Sequence, residues 1–225
     1  MNDGADDGMG DGADDDRTAH GHARRGRPKC MPDEVRCDAI VSRARHLFVK
    51  KGYGATTTDD IATACAISKQ TLYRLFPGKA ALFTAVVETH RQKWLDLPRD
   101  DDEQPLGETL ASIFRAEISD EADQERIDVI RLVLTEGRHF PELRAILNQY
   151  GALYSQVQLS DWLARQSHLG RLRLRDPMAA AQMLLDMVFG AILRESIGRA
   201  DWPTGDARRH HIHNCIELFL NGVRA

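Results

Sequence analysis

The sequence predicts an all-α protein of about nine helices, with an N-terminal three-helix helix-turn-helix domain and a larger helical domain after it. Apolar residues recur at helical spacing from position 33 onwards, and no alternating run reads as a strand. Two short helical segments, parted by only a few residues, sit between Thr57 and Phe76. Gly and Pro punctuate the remainder where helices would end. The chain has 225 residues, 42% of them hydrophobic and 28% charged, which suits one small domain plus a larger one. No apolar run approaches the roughly 20 residues a bilayer span needs, so a membrane partner is not expected and a cytoplasmic location is.

Residues 1–32 read as a disordered acidic tail followed by a basic arm. The opening MNDGADDGMGDGADDD has no apolar stretch and resembles neither a secretory signal nor a helix. Net charge is −4, yet acid is concentrated in that tail and around Arg99 to Glu103, whereas Arg17 to Lys51 is rich in Arg, Lys and His. Nucleic-acid binding depends on where charge sits, so the sum does not exclude it.

Asp33 is placed to cap a first helix whose apolar face is Ile40, Ala44, Leu47 and Phe48, closed by Lys50-Lys51-Gly52. Thr57, with Asp60 in capping-box position, opens a second helix from Thr58 to Cys65. Ser68 caps a third that starts at Lys69. Helices this short bury little area alone, so they must pack on each other and on the first through Ile61, Ala62, Ile67, Leu72 and Phe76, making residues 33–78 a tri-helical unit. Pro77-Gly78 breaks the pattern. A longer helix from Lys79 to Trp94 turns Leu82, Phe83, Val86, Val87 and His90 inward.

Pro98 to Pro105, acidic and aperiodic, reads as a linker. Helical spacing then returns in Leu106–Ser119, Glu121–Arg138, Pro141–His168, Pro177–Arg199 and Asp206–Val223. The stretch MAAAQMLLDMVFGAILRESIG is apolar on more than one face, which implies burial on one side by the core and on the other by a partner. With the stripe Ile212, Cys215, Ile216, Phe219 and Leu220 in the last helix, it predicts a four-helix homodimer interface; the alternative is that both helices complete a monomeric core.

The helix that enters the roughly 12 Å wide major groove reads bases with its early side chains. Here they are Lys69, Gln70 and Thr71, with Tyr73 and Arg74 one turn on. Gln70 has the donor and acceptor to pair with adenine, the Thr71 methyl suits a thymine methyl, and Lys69 suits guanine or phosphate. Thr57, Thr58, Ser68 and Lys79 lie at helix starts, where hydroxyls, open N–H groups and charge meet the sugar-phosphate backbone. An ordinary helical hairpin with a polar face has the same spacing.

Cys30, Cys37, Cys65 and Cys215 have no C-x-x-C spacing and read as structural thiols. His210, His211 and His213 are close on one helix but lack partnering Cys or carboxylates, so no metal and no cofactor is expected. Glu117, Glu136, Asp186 and Glu195 invite an acid–base reading, yet helical spacing puts most of them on solvated faces and no nucleophile accompanies them, so no catalytic residue is assigned.

From Ile40 to Val87, the segments ARHLFVKKGYGATT and DDIATACAISKQTLYRLFPGKAALF resemble the DNA-binding domain of the tetracycline-repressor (TetR) family of transcriptional regulators. RLVLTEGRHFPELRAILNQYG, with GRLRLRDPMAAAQMLLDMVFG after it, is similar to the AefR-like subgroup. The resemblance implies a connecting helix and a C-terminal dimerisation and effector-binding domain over 79–225, and a small-molecule effector that lowers affinity for double-stranded operator DNA. It assigns base or backbone contact to Lys69, Gln70, Thr71, Tyr73 and Lys79, and packing to Ile61, Leu72 and Phe76. The sequence departs from the family pattern at Ala66, where Gly is usual, and at Gly78, where Ser is frequent. A left-handed backbone at Ala66 would cost roughly 1 kcal/mol.

Arg25-Gly26-Arg27-Pro28-Lys29 resembles an AT-hook core, whose Arg25, Arg27 and Lys29 would lie in a narrow minor groove. A solvated basic tail touching phosphates fits equally well. Phe114, Tyr150, Tyr154, Trp162, Met183 and Met187 are the candidates for lining an effector pocket among the middle helices, or are plain core. The function expected is that of a dimeric repressor released from a palindromic operator by an effector; within the same fold, an activator or a regulator that binds no effector stays open. The competing reading is a helical small-molecule-binding protein or enzyme with a vestigial helix-turn-helix.

Overall fold

The computed structural model describes residues 33–99, 103–195 and 202–223. The elements are all helical: α1 (Asp33–Lys51), α2 (Thr58–Ala64), α3 (Lys69–Leu75), α4 (Lys79–Trp94), α5 (Leu106–Ile113), α6 (Asp120–Glu136), α7 (Pro141–Ile146), a π-helical stretch (Leu147–Ala152), α8 (Leu153–His168), α9 (Pro177–Glu195) and α10 (Gly205–Val223). Because α7, the π stretch and α8 follow without a break, the described residues form nine continuous rods. The expected arm residues Arg25, Arg27 and Lys29 lie outside the described residues, as does the predicted extension of α9 to Arg199.

Helix ends follow local chemistry. Thr57 and Asp60 form the capping box of α2: Thr57 Oγ1 accepts from Asp60 N at 3.1 Å and Asp60 Oδ2 accepts from Thr57 N at 2.9 Å. These bonds, and Lys51 beside them, hold the Asp60 carboxyl at about 2, below its ordinary range. Ser68 Oγ accepts from Thr71 N and starts α3. The end of α2 is a Schellman turn, with Ile67 N donating to Ala62 O and Ala66 N to Thr63 O. That turn needs a left-handed residue at Ala66, whose φ is +52°.

A second such turn corrects the length expected for α5. Arg115 N donates to Ser112 O and Ala116 N to Ala111 O, with Arg115 at φ +52°, so the helix stops at Ile113 and not at Ser119. The apolar spacing continues past that point because Phe114 and Ala116 serve the core from a turn.

Three apolar clusters organise the packing. The first joins α1 to α4 through Ile40, Ala44, Phe48, Tyr53, Ile61, Leu72, Phe83 and Val86, and it also takes Val129, Leu132 and Val133 from α6 and Leu143 from α7. The second fills the body between α5, α8, α9 and α10 around Ile113, Phe114, Leu163, Leu184 and Ile216. The third joins Trp94 of α4 to Ile127 and Ile130 of α6, Ile192 of α9 and Trp202. Helix α6 therefore has one apolar side in the N-terminal core and another in the body. Its first turn is pinned by a buried charge group: Asp123 pairs with Arg126 and, at 3.2 Å, with Arg208 of α10, and accepts from Trp202 Nε1 at 2.6 Å. These charges lie almost wholly out of water, where removing one partner would strand another.

Candidate nucleic-acid interface

On α3 the spacing divides inside from outside. Leu72 is fully buried, whereas Lys69, Gln70, Tyr73 and Arg74 are exposed, at positions i, i+1, i+4 and i+5, which is one face of a helix. Thr71, at the edge of that face, is half-buried. Burying Leu72 is worth about 1.5–3 kcal/mol, which anchors a helix of only seven residues against the domain.

Each outward side chain has a defined setting. The Gln70 side chain makes no hydrogen bond with any described residue, so its amide is presented whole. Lys69 pairs with Asp59 of α2 at 2.8 Å, and that carboxylate raises the ammonium pKa. Both partners are more than half exposed, and exposed pairs of this kind exchange readily for phosphate. The hydroxyls of Tyr73 and Thr58 lie 3.2 Å apart, which sets the phenol at the junction of α2 and α3. Arg74 is held by a fork to Asp33 of α1, with both nitrogen–oxygen distances 3.1 Å, and this lowers the Asp33 pKa. Thr57 and Ser68 use their hydroxyls as caps, and the Thr71 hydroxyl lies 2.8 Å from that of Ser68.

Lys79 points elsewhere. Its ammonium donates to the carbonyls of Tyr53 at 2.7 Å and Thr56 at 3.1 Å, with Gly54 O at 3.4 Å, and sits 4.3 Å from the centre of the Tyr53 ring. The side chain is thus taken up within the domain. Gly78 caps that helix with extended backbone and no side-chain hydrogen bond.

The loop that Lys79 grips is also gripped from the body. Glu136, the last residue of α6, accepts from Tyr53 N at 2.9 Å through Oε1 and from Gly54 N at 2.7 Å through Oε2. Tyr53 is buried against Phe48, Phe83 and Phe140. Thr56, fully buried, donates to Gly52 O at 2.7 Å. Sequence reasoning missed Tyr53, Thr56 and Phe140 and weighed Glu136 only as an acid–base group, because their partners lie on other elements. The glycines of KKGYG were the available signal.

The six residues expected to line an effector pocket are dispersed. Phe114 and Trp162 are buried in the body core, and Met187 packs on its margin. Tyr150 packs against the N-terminal core. Tyr154 covers the Arg91 guanidinium at 4.0 Å from the ring centre, and Met183 is 63% exposed.

The comparisons agree with this geometry. Residues 40–86 match the bacterial regulatory proteins of the tetR family, and residues 108–222 match the C-terminal domain of AefR-like transcriptional repressors. The HTH-type transcriptional regulator YvkB of Bacillus subtilis is 25% identical over 186 residues, covering 83% of this chain and 96% of YvkB. The HTH-type transcriptional repressor BdcR of Escherichia coli is 31% identical over 147 residues, 63% of this chain and 70% of BdcR. Among solved structures, the flavonoid-responsive regulator FrrA superposes with a TM-score of 0.62 at 26% identity over 85% of this chain and 98% of its own. A TetR-family regulator from Mesorhizobium loti shares the fold, with a TM-score of 0.68 at 20% identity over 87% of this chain and 100% of its own. With its exposed reading helix and with both regions matched, the chain belongs to the TetR family and is a helix-turn-helix DNA-binding transcriptional regulator.

Proposed function

We propose that the protein is a homodimeric repressor that sets two copies of α3 in successive major grooves of a palindromic operator and is released by a small-molecule effector. The observation that carries the reading is the outward row on α3, with Lys69, Gln70, Tyr73 and Arg74 exposed over a buried Leu72. In this reading Gln70 and Thr71 read bases, while Lys69, Tyr73 and the hydroxyl-bearing starts of α2 and α3 meet phosphates. Lys79 acts through the loop it holds, and Arg25, Arg27 and Lys29 extend the contact along the DNA.

Support for the dimer comes from α9 and α10. His211 Nε2 lies 2.9 Å from Val188 O and Cys215 Sγ 3.3 Å from Met187 O, which holds the two helices against each other. Leu218 of α10 and Met183 of α9 are large apolar side chains left 67% and 63% exposed on this pair. Support for an effector is the similarity to a flavonoid-responsive regulator.

Mobility shifts on a palindrome selected by the wild-type chain from random duplex DNA test the reading. Gln70→Ala should lose about tenfold or more in specific affinity with nonspecific binding retained. Lys69→Ala should reduce the slope of log affinity against log salt by about one, whereas Lys79→Ala should leave that slope unchanged. A Gln70→Ala variant that discriminates sequences as the wild type does would sink the assignment of α3 as reader.

A further inference from the structure

Glu136 occupies a position that helix energetics disfavour. It is the last residue of α6, where the helix dipole presents partial negative charge and no basic residue stands in the last turn. Its two oxygens accept from the consecutive amides of Tyr53 and Gly54, with distances of 2.9 and 2.7 Å, across more than eighty residues of chain. The loop is shaped to admit it. A Cβ at Gly52 would lie 2.3 Å from Glu136 Oε1, and one at Gly54 would lie 2.8 Å from Phe140 Cζ. Gly52 also has φ +92°, so its lack of a side chain serves both the turn and the carboxylate.

This loop runs directly into Thr57, the cap of α2, and α2 passes through the tight turn at Ala66 into α3. Two seven-residue helices cannot set their own attitude to the body; the loop and α1 must set it. Helix α6 reaches the same domain about three turns earlier, through Glu125. That carboxylate lies 3.3 Å from Arg45 of α1 and 3.1 Å from Lys93 of α4. Between them Val129 and Val133 enter the N-terminal core, while Ile127 and Ile130 face the body side with Trp94 and Trp202.

We propose that Glu136 is a positioning residue for DNA reading: by holding the Tyr53 and Gly54 amides it fixes the attitude of the reading head on α6, and so the distance between the two heads of a dimer. It touches no DNA. The proposal rests on the dimeric, palindrome-binding reading above.

The test uses the full chain and the selected palindrome, with spacer variants one and two base pairs longer and shorter, and an isolated half-site. Glu136→Ala is expected to weaken palindrome binding about tenfold and to flatten the preference among spacers, with half-site binding unchanged. Hydrogen exchange at the Tyr53 and Gly54 amides should accelerate while Ile61 and Leu72 stay protected. Glu136→Gln keeps one carbonyl acceptor and should be intermediate in both readouts. A wild-type spacer profile in Glu136→Ala, or an equal loss on half-site and palindrome, overturns the proposal, since a stabilising role alone would do the latter. If Glu136→Ala does not fold, Glu136→Gln decides in the same assays: an unchanged profile overturns and a broadened one supports. A flat profile for the wild type itself counts against the palindrome reading, and hydrogen exchange then decides for Glu136: unaltered exchange at both amides overturns the proposal.

Discussion

His90 is almost fully buried on α4, with the Val86 carbonyl one turn back as the group that acts on its ring by hydrogen bonding. Burial, helped by Lys93 on its own helix and Arg45 on α1, pushes the imidazole from its ordinary 6.5 down to about 4; Glu125 on α6 and the Val86 backbone oppose the shift only in part. Folding therefore favours the neutral ring. The resulting stability is fully present above pH 6.5 and is lost as pH falls towards 4, a change on the order of 3 kcal/mol. Urea midpoints measured near neutral pH and near pH 5 should show the wild type losing stability in acid and His90→Leu losing markedly less. Equal losses in both would assign the acid sensitivity to other groups. At this scale the sequence is read well where a residue answers to its own helix. Leu72 inward and Gln70 outward follow from periodicity alone, and so does the burial of His90. Glu136 shows the limit: helical spacing gives a carboxylate a face but not the backbone amides that await it 83 positions away.

Among the elements, the turn between α2 and α3 carries a strain that its sequence announces. Ala66 sits at φ +52° in a Schellman turn whose hydrogen bonds leave it no other backbone conformation. The left-handed region costs a residue with a Cβ about 1–2 kcal/mol, partly offset because glycine has more freedom to lose on folding. Ala66→Gly should accordingly raise stability by about 0.5–1 kcal/mol, measured as a higher melting temperature with DNA affinity retained. A lower melting temperature would show that the turn relaxes around Ala66. Arg115 is a second left-handed residue at a helix end, and nothing in its type announces one. That is why the sequence extends α5 too far. The caps Thr57 and Ser68 are legible because capping is decided within four residues.

For the whole molecule, the consequential surface is the one formed by α9 and α10. Met183 on α9 and Leu218 on α10 are both exposed, on helices whose other faces are buried in the body core. Sedimentation of Met183→Arg with Leu218→Arg should show a monomer at concentrations where the wild type is dimeric, with the helical circular dichroism spectrum intact. The paired variant should lose palindrome affinity by far more than half-site affinity. A dimer that survives both substitutions would place the interface elsewhere. In the sequence this surface shows only as excess apolarity; which apolar side chains stay uncovered is decided by how the helices pack.

The sequence by itself determined the helical class, the helix-turn-helix between Thr57 and Phe76 and the face of α3 that looks outward, because periodicity, caps and turns are set by neighbours a few residues apart. Tertiary structure decided how that reader is held. The carboxylate of Glu136 on the amides of Tyr53 and Gly54, the ammonium of Lys79 on the carbonyls of the same loop, and the two-sided packing of α6 join distant parts of the chain. The dispersal of the six expected pocket residues has the same origin. Helical spacing records which side of a helix is apolar, and only the packed fold determines what that side meets.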